Sequence, residues 1–235
     1  MKRLSTLFCA AVCAFAQNPP ATAPATASPA AGPQLEDGLY AVLNTEKGAI
    51  TARLFEKETP LTVKNFVALA KGTKAWKDPR THTMVARPLY ANIGFHRVMD
   101  GVMIQTGSAV ANGDHDCGFS IKDEIRPDLK FDTPGRLAMA NQDKPNTGAC
   151  QFFITNVAAT PWNGAYTVFG QVVDGQSVVK EISHSPTVEN TDHVVRKPPK
   201  LIGVTIKRVG PEPAPTPAPP PAKRIAAPAA APARK

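Results

Sequence analysis

From residue 49 to residue 55 the chain alternates: Ile50, Ala52 and Leu54 are apolar, and Thr51 and Arg53 between them are polar. A period of two sends successive side chains to opposite faces, which predicts a half-buried strand. Residues 40–44 read as its partner in a β-hairpin, joined across the polar turn Glu46-Lys47-Gly48. The period then changes. Val63, Phe66, Val67 and Ala70 recur at i, i+3, i+4 and i+7, the spacing of one apolar helix face. Thr59-Pro60 offers a hydroxyl N-cap and a proline at the first helical position, and Lys71-Gly72 a cationic last turn and a glycine stop. Further strands are predicted over residues 119–125, 136–141, 151–156, 167–173 and 201–208. A short amphipathic helix is predicted over 177–182 through Val178, Val179 and Ile182. Residues 74–92 and 186–200 carry neither period and read as long connections. Many strands with two helices predict a mainly-β fold.

One apolar run also carries chemistry. In Phe95-His96-Arg97-Val98-Met99-Asp100-Gly101-Val102-Met103-Ile104-Gln105-Thr106-Gly107, Asp-Gly marks a turn between two strands. Residues two apart share a face, so Met103 and Gln105 are expected to project together, as are Phe95 and Arg97. That sets a permanent cation beside a thioether and a neutral amide. The set suits an uncharged, partly apolar ligand with a carbonyl, and not a phosphate or a metal. Taken alone, the run also reads as plain core with Arg97 and Gln105 at its rim.

A second stretch separates these readings. Leu137-Ala138-Met139-Ala140-Asn141 is followed, after a Pro-Asn-Thr-Gly loop, by Gln151-Phe152-Phe153-Ile154-Thr155. With Phe95-His96-Arg97, Met103-Ile104-Gln105 and the closing Thr167-Val168-Phe169-Gly170, these segments resemble the cyclophilin family of peptidyl-prolyl cis/trans isomerases, in the family's order. The likeness runs from about residue 40 to residue 208. It implies a closed antiparallel eight-stranded β-barrel capped by two α-helices. It also implies an enzyme without a cofactor, acting on proline-containing polypeptides. Arg97 takes the catalytic role. Met103 and Phe153 would line the proline cup, with Val102 standing where the family has Phe. Gln105, Ala140, Asn141 and Gln151 would hold the peptide. Counting back from Phe169, Trp162 and Tyr166 fall on the family's leucine and histidine positions, and Pro161 on its tryptophan. Because that tryptophan helps eukaryotic members bind cyclosporin, weak cyclosporin binding is expected. His96 looks like a general base, but rotation about an amide needs no proton abstraction. Two rival functions remain in view. One is a proline-binding chaperone or scaffold without catalysis, favoured by Val102 and by Gln105-Thr106-Gly107, where the family prefers Gln-Gly-Gly. The other is a metal-dependent hydrolase using Asp114, His115 and Asp116.

The ends differ in composition from the middle. Residues 1–16 read as a signal peptide: Lys2 and Arg3, a short apolar run, then Ala14-Phe15-Ala16 as a cleavage site. The run is too short to span a bilayer, so no integral membrane span and a periplasmic or secreted location are expected. Residues 17–33 form a Pro/Ala-rich linker, 34–210 the isomerase-like domain, and 211–235 a Pro/Ala-rich basic tail. Of the net charge of +8, Lys2 and Arg3 belong to the signal, and Lys223, Arg224, Arg234 and Lys235 to the tail. With Glu212 offsetting one of the tail's four, the middle keeps about +3. That argues against a nucleic-acid partner, and a monomer is expected. Removing the signal takes Cys9 and Cys13, leaving Cys117 and Cys150, a candidate disulfide in an oxidising compartment or else two separate thiols. In the family their two segments flank a secondary pocket beside the proline site. Asn112, Asp114, Asp116 and Asp123 mimic a calcium loop. Its turn glycine is displaced, its last ligand is Asp and no helices flank it, so a polar loop without metal is expected.

Overall fold

The protein is described from a computed structural model that covers residues 34–212. The segments expected to be a signal peptide and a linker, and the chain beyond residue 212, lie outside the described residues. The hairpin at the start is β1 (Gly38–Thr45) and β2 (Gly48–Leu54). The first helix, α1, is Pro60–Lys71 and stops at Gly72, whose φ of 73° needs a residue without a Cβ. Thr59 does not cap it through its side chain. Glu124 does so from across the fold, accepting from Leu61 N and from both the amide and the hydroxyl of Thr62. A carboxylate at that end also meets the positive pole of the helix.

The 74–92 connection contains a small separate ladder, β3 (Trp76–Lys77) with β4 (Met84–Val85). Next come β5 (Ile93–Gly94), β6 (Arg97–Met99), β7 (Met103–Thr106), β8 (Arg136–Met139) and β9 (Phe152–Thr155). The described residues end with β10 (Val168–Asp174), helix α2 (Gln176–Ser183) and β11 (Lys200–Val209). No strand forms over 119–125. The backbone donors there are met singly: Ile121 N by Gly148 O, Asp123 N by Asn146 Oδ1 and Glu124 N by Thr167 Oγ1.

Nine strands make one antiparallel sheet in the order β5-β11-β1-β2-β10-β8-β9-β7-β6. This corrects the expected closed eight-stranded barrel. The sheet is a strongly curled half-barrel whose outermost strands, β5 and β6, are not paired with each other. They are successive pieces of chain parted only by Phe95 and His96, where the backbone leaves the β11 ladder to join β7. The free edge of β6 is taken by the 186–200 connection instead: Val98 N donates to His193 O, and Val195 N to His96 O. The curl follows from register shifts in β1, β8 and β10 pairings, since each unmatched residue bends its strand.

Helix α1 buries Val63, Phe66, Leu69 and Ala70. Phe66 stacks on Tyr90 at 5.2 Å and meets Phe152 edge-on at the same distance. These rings belong to the larger apolar cluster, with Phe95, Val98, Ile104 and Phe169. A second, smaller cluster holds Met103, Phe131, Ala138, Phe153, Ala159 and Val168. The expected common face of Phe95 and Arg97 is not found, because the strand breaks between them and Phe95 turns into the larger cluster.

Candidate active site

Register builds the floor of the site. Arg97 opens β6 opposite Gln105 on β7, and Gln105 lies opposite Phe153 on β9. Residues opposed in antiparallel strands point to one side of the sheet. The row Arg97, Gln105, Phe153 therefore faces one way, and the row Met99, Met103 beside it faces the same way. Tight turning at Asp100-Gly101 holds the two rows in phase: Val102 N donates to Met99 O at 2.8 Å. The wall opposite comes from the segment after β9. A 3₁₀ turn, Thr160–Trp162, presents Trp162, and Tyr166 follows. Phe153 meets Trp162 edge-on at 5.5 Å and Tyr166 at 5.1 Å, and stacks on Phe131 at 5.9 Å.

Between floor and wall lies a cavity of about 390 Å³ lined by Arg97, Met103, Gln105, Ala140, Asn141, Phe153, Trp162 and Tyr166, together with Met99, Asp143 and Asp192. Of the sequence-predicted binding residues, Val102 and Gln151 do not line it. Val102 is a turn residue packed against the smaller apolar cluster. Gln151 stands behind Gln105, accepting from Gln105 Nε2 at 3.0 Å and donating to Gly113 O at 2.7 Å. Asn141 donates through its side chain to Ala165 O and accepts from Asp143 N. Its amide group is thus spent on the rim, leaving its main chain as what it can offer a ligand.

The sequence reading missed three lining residues. Met99 was open to inference, two positions from Arg97 on the same strand. Asp143 and Asp192 carry no such signal; Asp192 lies 95 residues from Arg97, in the aperiodic 186–200 connection.

Arg97 is fully engaged along one edge. Its Nε donates to Asp192 Oδ2 at 3.0 Å and its Nη2 to Asp192 Oδ1 at 3.1 Å. That guanidinium holds the Asp192 carboxyl below the usual carboxylate range. The remaining corner, Nη1, points to Gln105 Oε1 at 3.3 Å. The Tyr166 hydroxyl is pushed up by partial burial and by Asp143, so it stays protonated at neutral pH. His96 is 2% exposed and absent from the cavity lining. Burial pulls its imidazole down to about 4, so it is neutral and unsuited to act on a ligand.

A second cavity, of about 420 Å³, adjoins the first and shares Gln105, Ala140 and Asn141 with it. Its lining includes Cys117 and Cys150, which are joined as a disulfide with Cα atoms 6.4 Å apart. Among the described residues, His115, Cys117 and Cys150 lie close enough together to share an ion, but both sulfurs are spent in the bridge. Oxygens of the calcium-like loop accept hydrogen bonds from the protein itself: Asp116 from Lys77 Nζ and Gly118 N, Asn112 from Asp114 N, and Asp123 from Asn146 N. Among the described residues no helix is long and apolar enough to cross a membrane.

The recess combines aromatic and thioether walls with one cation, two neutral amides and two carboxylates, Asp143 and Asp192, the second of which is tied to Arg97. It can hold a small apolar ring and donate a hydrogen bond from Arg97 to a group that gains electron density.

Residues 40–210 match the family described as cyclophilin type peptidyl-prolyl cis-trans isomerase/CLD. Peptidyl-prolyl cis-trans isomerase B of Streptomyces anulatus is 42% identical over 161 residues, 67% of this chain and 91% of that protein. Peptidyl-prolyl cis-trans isomerase A of Mycobacterium tuberculosis is 44% identical over 161 residues, 66% of this chain and 87% of that protein. A Cryptosporidium parvum cyclophilin type isomerase, crystallised in the presence of the dipeptide Ala-Pro, superposes with a TM-score of 0.61 at 29% identity, covering 72% of this chain and 99% of that one. With a match over most of its length, this chain belongs to the cyclophilin-type peptidyl-prolyl cis-trans isomerases, and is an enzyme of that class.

Proposed function

We propose that the protein accelerates rotation of X-Pro bonds in exported polypeptides as they fold, with Arg97 as the catalytic residue. A prolyl amide rotates over a barrier of about 18–20 kcal/mol because the C–N bond has partial double-bond character. At the top of that barrier resonance is lost, and the prolyl nitrogen gains a lone pair. A donor aimed at that nitrogen stabilises the twisted state over either planar isomer, with tenfold in rate for each 1.4 kcal/mol or so. The guanidinium suits this task because it stays charged and does not titrate. The ring of the proline sits against Met103, Phe153 and Trp162, Gln105 holds a substrate carbonyl, and the main chain of Ala140 and Asn141 aligns the peptide.

The observation that carries this reading is the single row of Arg97, Gln105 and Phe153 across β6, β7 and β9, open to a recess of about 390 Å³. That size lies within the range of roughly 300–1,000 Å³ usual for small-molecule sites. The Ala-Pro dipeptide used with the C. parvum relative supports a proline-containing substrate. Export rests on residues 1–16, and a periplasmic or secreted location follows from it. A protease-coupled prolyl-peptide assay tests the catalytic role. Arg97→Ala should lower kcat/KM by about 100-fold or more, the usual loss for one aimed donor. Wild-type turnover in that variant would remove Arg97 from the mechanism. Cell fractionation tests export: recovery of the uncleaved chain in the cytoplasm would contradict it.

A further inference from the structure

The 186–200 connection, which no motif marks, reaches the site at one point. Asn190 and His193 both adopt left-handed backbone, with φ of 58° and 57°, and between them the chain makes a tight turn. Thr191 ties it: its hydroxyl donates to Val188 O, and Val194 N donates back to that hydroxyl. The far side of the turn is stitched to the free edge of β6 through Val98 N to His193 O and Val195 N to His96 O. The result fixes Asp192 in front of Arg97, and both line the cavity. The contact is bidentate, with Nε and Nη2 on the two carboxylate oxygens at 3.0 and 3.1 Å.

From this geometry we infer that Asp192 is a positioning residue for the isomerase reaction: it clamps the Nε–Nη2 edge of Arg97 so that the Nη1 corner alone is presented to the prolyl nitrogen. The inference rests on the catalytic role proposed for Arg97. Arg97 opens an edge strand of only three residues and has four rotatable side-chain bonds, and a forked carboxylate contact fixes the plane of its guanidinium. The clamp leaves Nη1 free of the carboxylate. Gln105 then sets the height of that corner from the strand beside it. Two flanking groups thus define the direction of one donor, and direction is what a transition-state contact depends on.

The test is a double-mutant cycle in full-length protein. Asp192→Ala should lower kcat about fivefold and leave KM within about twofold, as for a contact used only in the transition state. Asp192→Asn, which keeps the shape of the side chain and loses the fork, should fall in the same direction, and Asp192→Glu should recover part of the rate. Arg97→Lys cannot make the forked contact, so adding Asp192→Ala to Arg97→Lys should cause no further loss. Asp192 is largely exposed, with 76% of its side chain accessible, and thermal midpoints of the variants should stay at the wild-type value. Wild-type or higher kcat in Asp192→Ala, or the same fold loss in both backgrounds, would overturn the clamp. If Arg97→Lys and Arg97→Ala themselves turn over like wild type, the proposed role of Arg97 falls, and the clamp with it. A dead Arg97→Ala beside a fully active Asp192→Ala removes the clamp alone.

Discussion

Two cavities lie side by side on this protein, close to one another in size and sharing Gln105, Ala140 and Asn141. The first has a guanidinium, two methionines and three aromatic rings on its walls. The second has a disulfide, an imidazole and small polar residues. Volume therefore does not distinguish them; the placement of one donor over an apolar recess does. The strands explain the difference. The first cavity stands on β6, β7 and β9, where hydrogen-bonded register fixes which side chains rise together. The second is walled mostly by loops between 115 and 151, which the Cys117–Cys150 cross-link joins.

The contrast predicts opposite consequences for damage to the two. The largest loss after Arg97 should come from the apolar part of the first cavity's floor. Phe153 is 4% exposed and touches Phe131, Trp162 and Tyr166. Phe153→Ala should cost about 3–5 kcal/mol of stability and raise KM for a prolyl peptide. Chemical denaturation and steady-state kinetics on the same sample check both, and an unchanged KM would detach Phe153 from substrate binding.

In the second cavity the loss should fall on stability alone. The Cys117–Cys150 bridge spans 33 positions, a loop whose opening costs about 3–4 kcal/mol in the chain-entropy account. Replacing both cysteines by alanine should lower the unfolding free energy by that amount and leave kcat/KM within a few-fold. A hundredfold drop in activity with little change in stability would make the second cavity part of the reaction.

The smallest effect tests the general-base reading of His96, which sits where the chain passes from β5 to β6. Burial holds the folded His96 imidazole near 4, against 6.5 for an unperturbed one. Below pH 6.5 the unfolded chain therefore takes up a proton that the folded protein refuses. This contribution is complete above pH 6.5 and is lost as the pH falls toward 4, at most about 3 kcal/mol. His96→Gln should flatten that part of the stability profile while isomerase rates at pH 7 stay within about twofold. A steep loss of rate would return His96 to the mechanism.

Elements whose partners lie in their own residues were legible in the sequence. Helix α1 announced itself through Val63, Phe66 and Ala70 and through the stops at Pro60 and Gly72, and the β1–β2 hairpin through strict alternation. Elements decided by distant partners were not. The segment around Ile121 alternates like a strand, yet its amides find loop carbonyls and side chains one at a time. The cap on α1 comes from Glu124, not from Thr59. The strands β3 and β4 have two residues each, too few to show a period. The barrel was expected to close because the family likeness carries no register; the free edge of β6 is instead taken by residues 193–195. The same distance rule governs the site. Arg97, Met103 and Gln105 were readable from one strand–turn–strand run, whereas Asp192 reaches Arg97 from a polar loop with no pattern to betray it.

The central claim is that Arg97 speeds rotation rather than merely holding proline. The most direct measurement is two-dimensional exchange NMR on an Ala-Pro-containing peptide with sub-stoichiometric full-length protein, wild type against Arg97→Ala. The account predicts cis/trans exchange cross-peaks with wild type, and none with Arg97→Ala even though that variant still broadens the peptide resonances by binding. Equal exchange rates with the two proteins would contradict it.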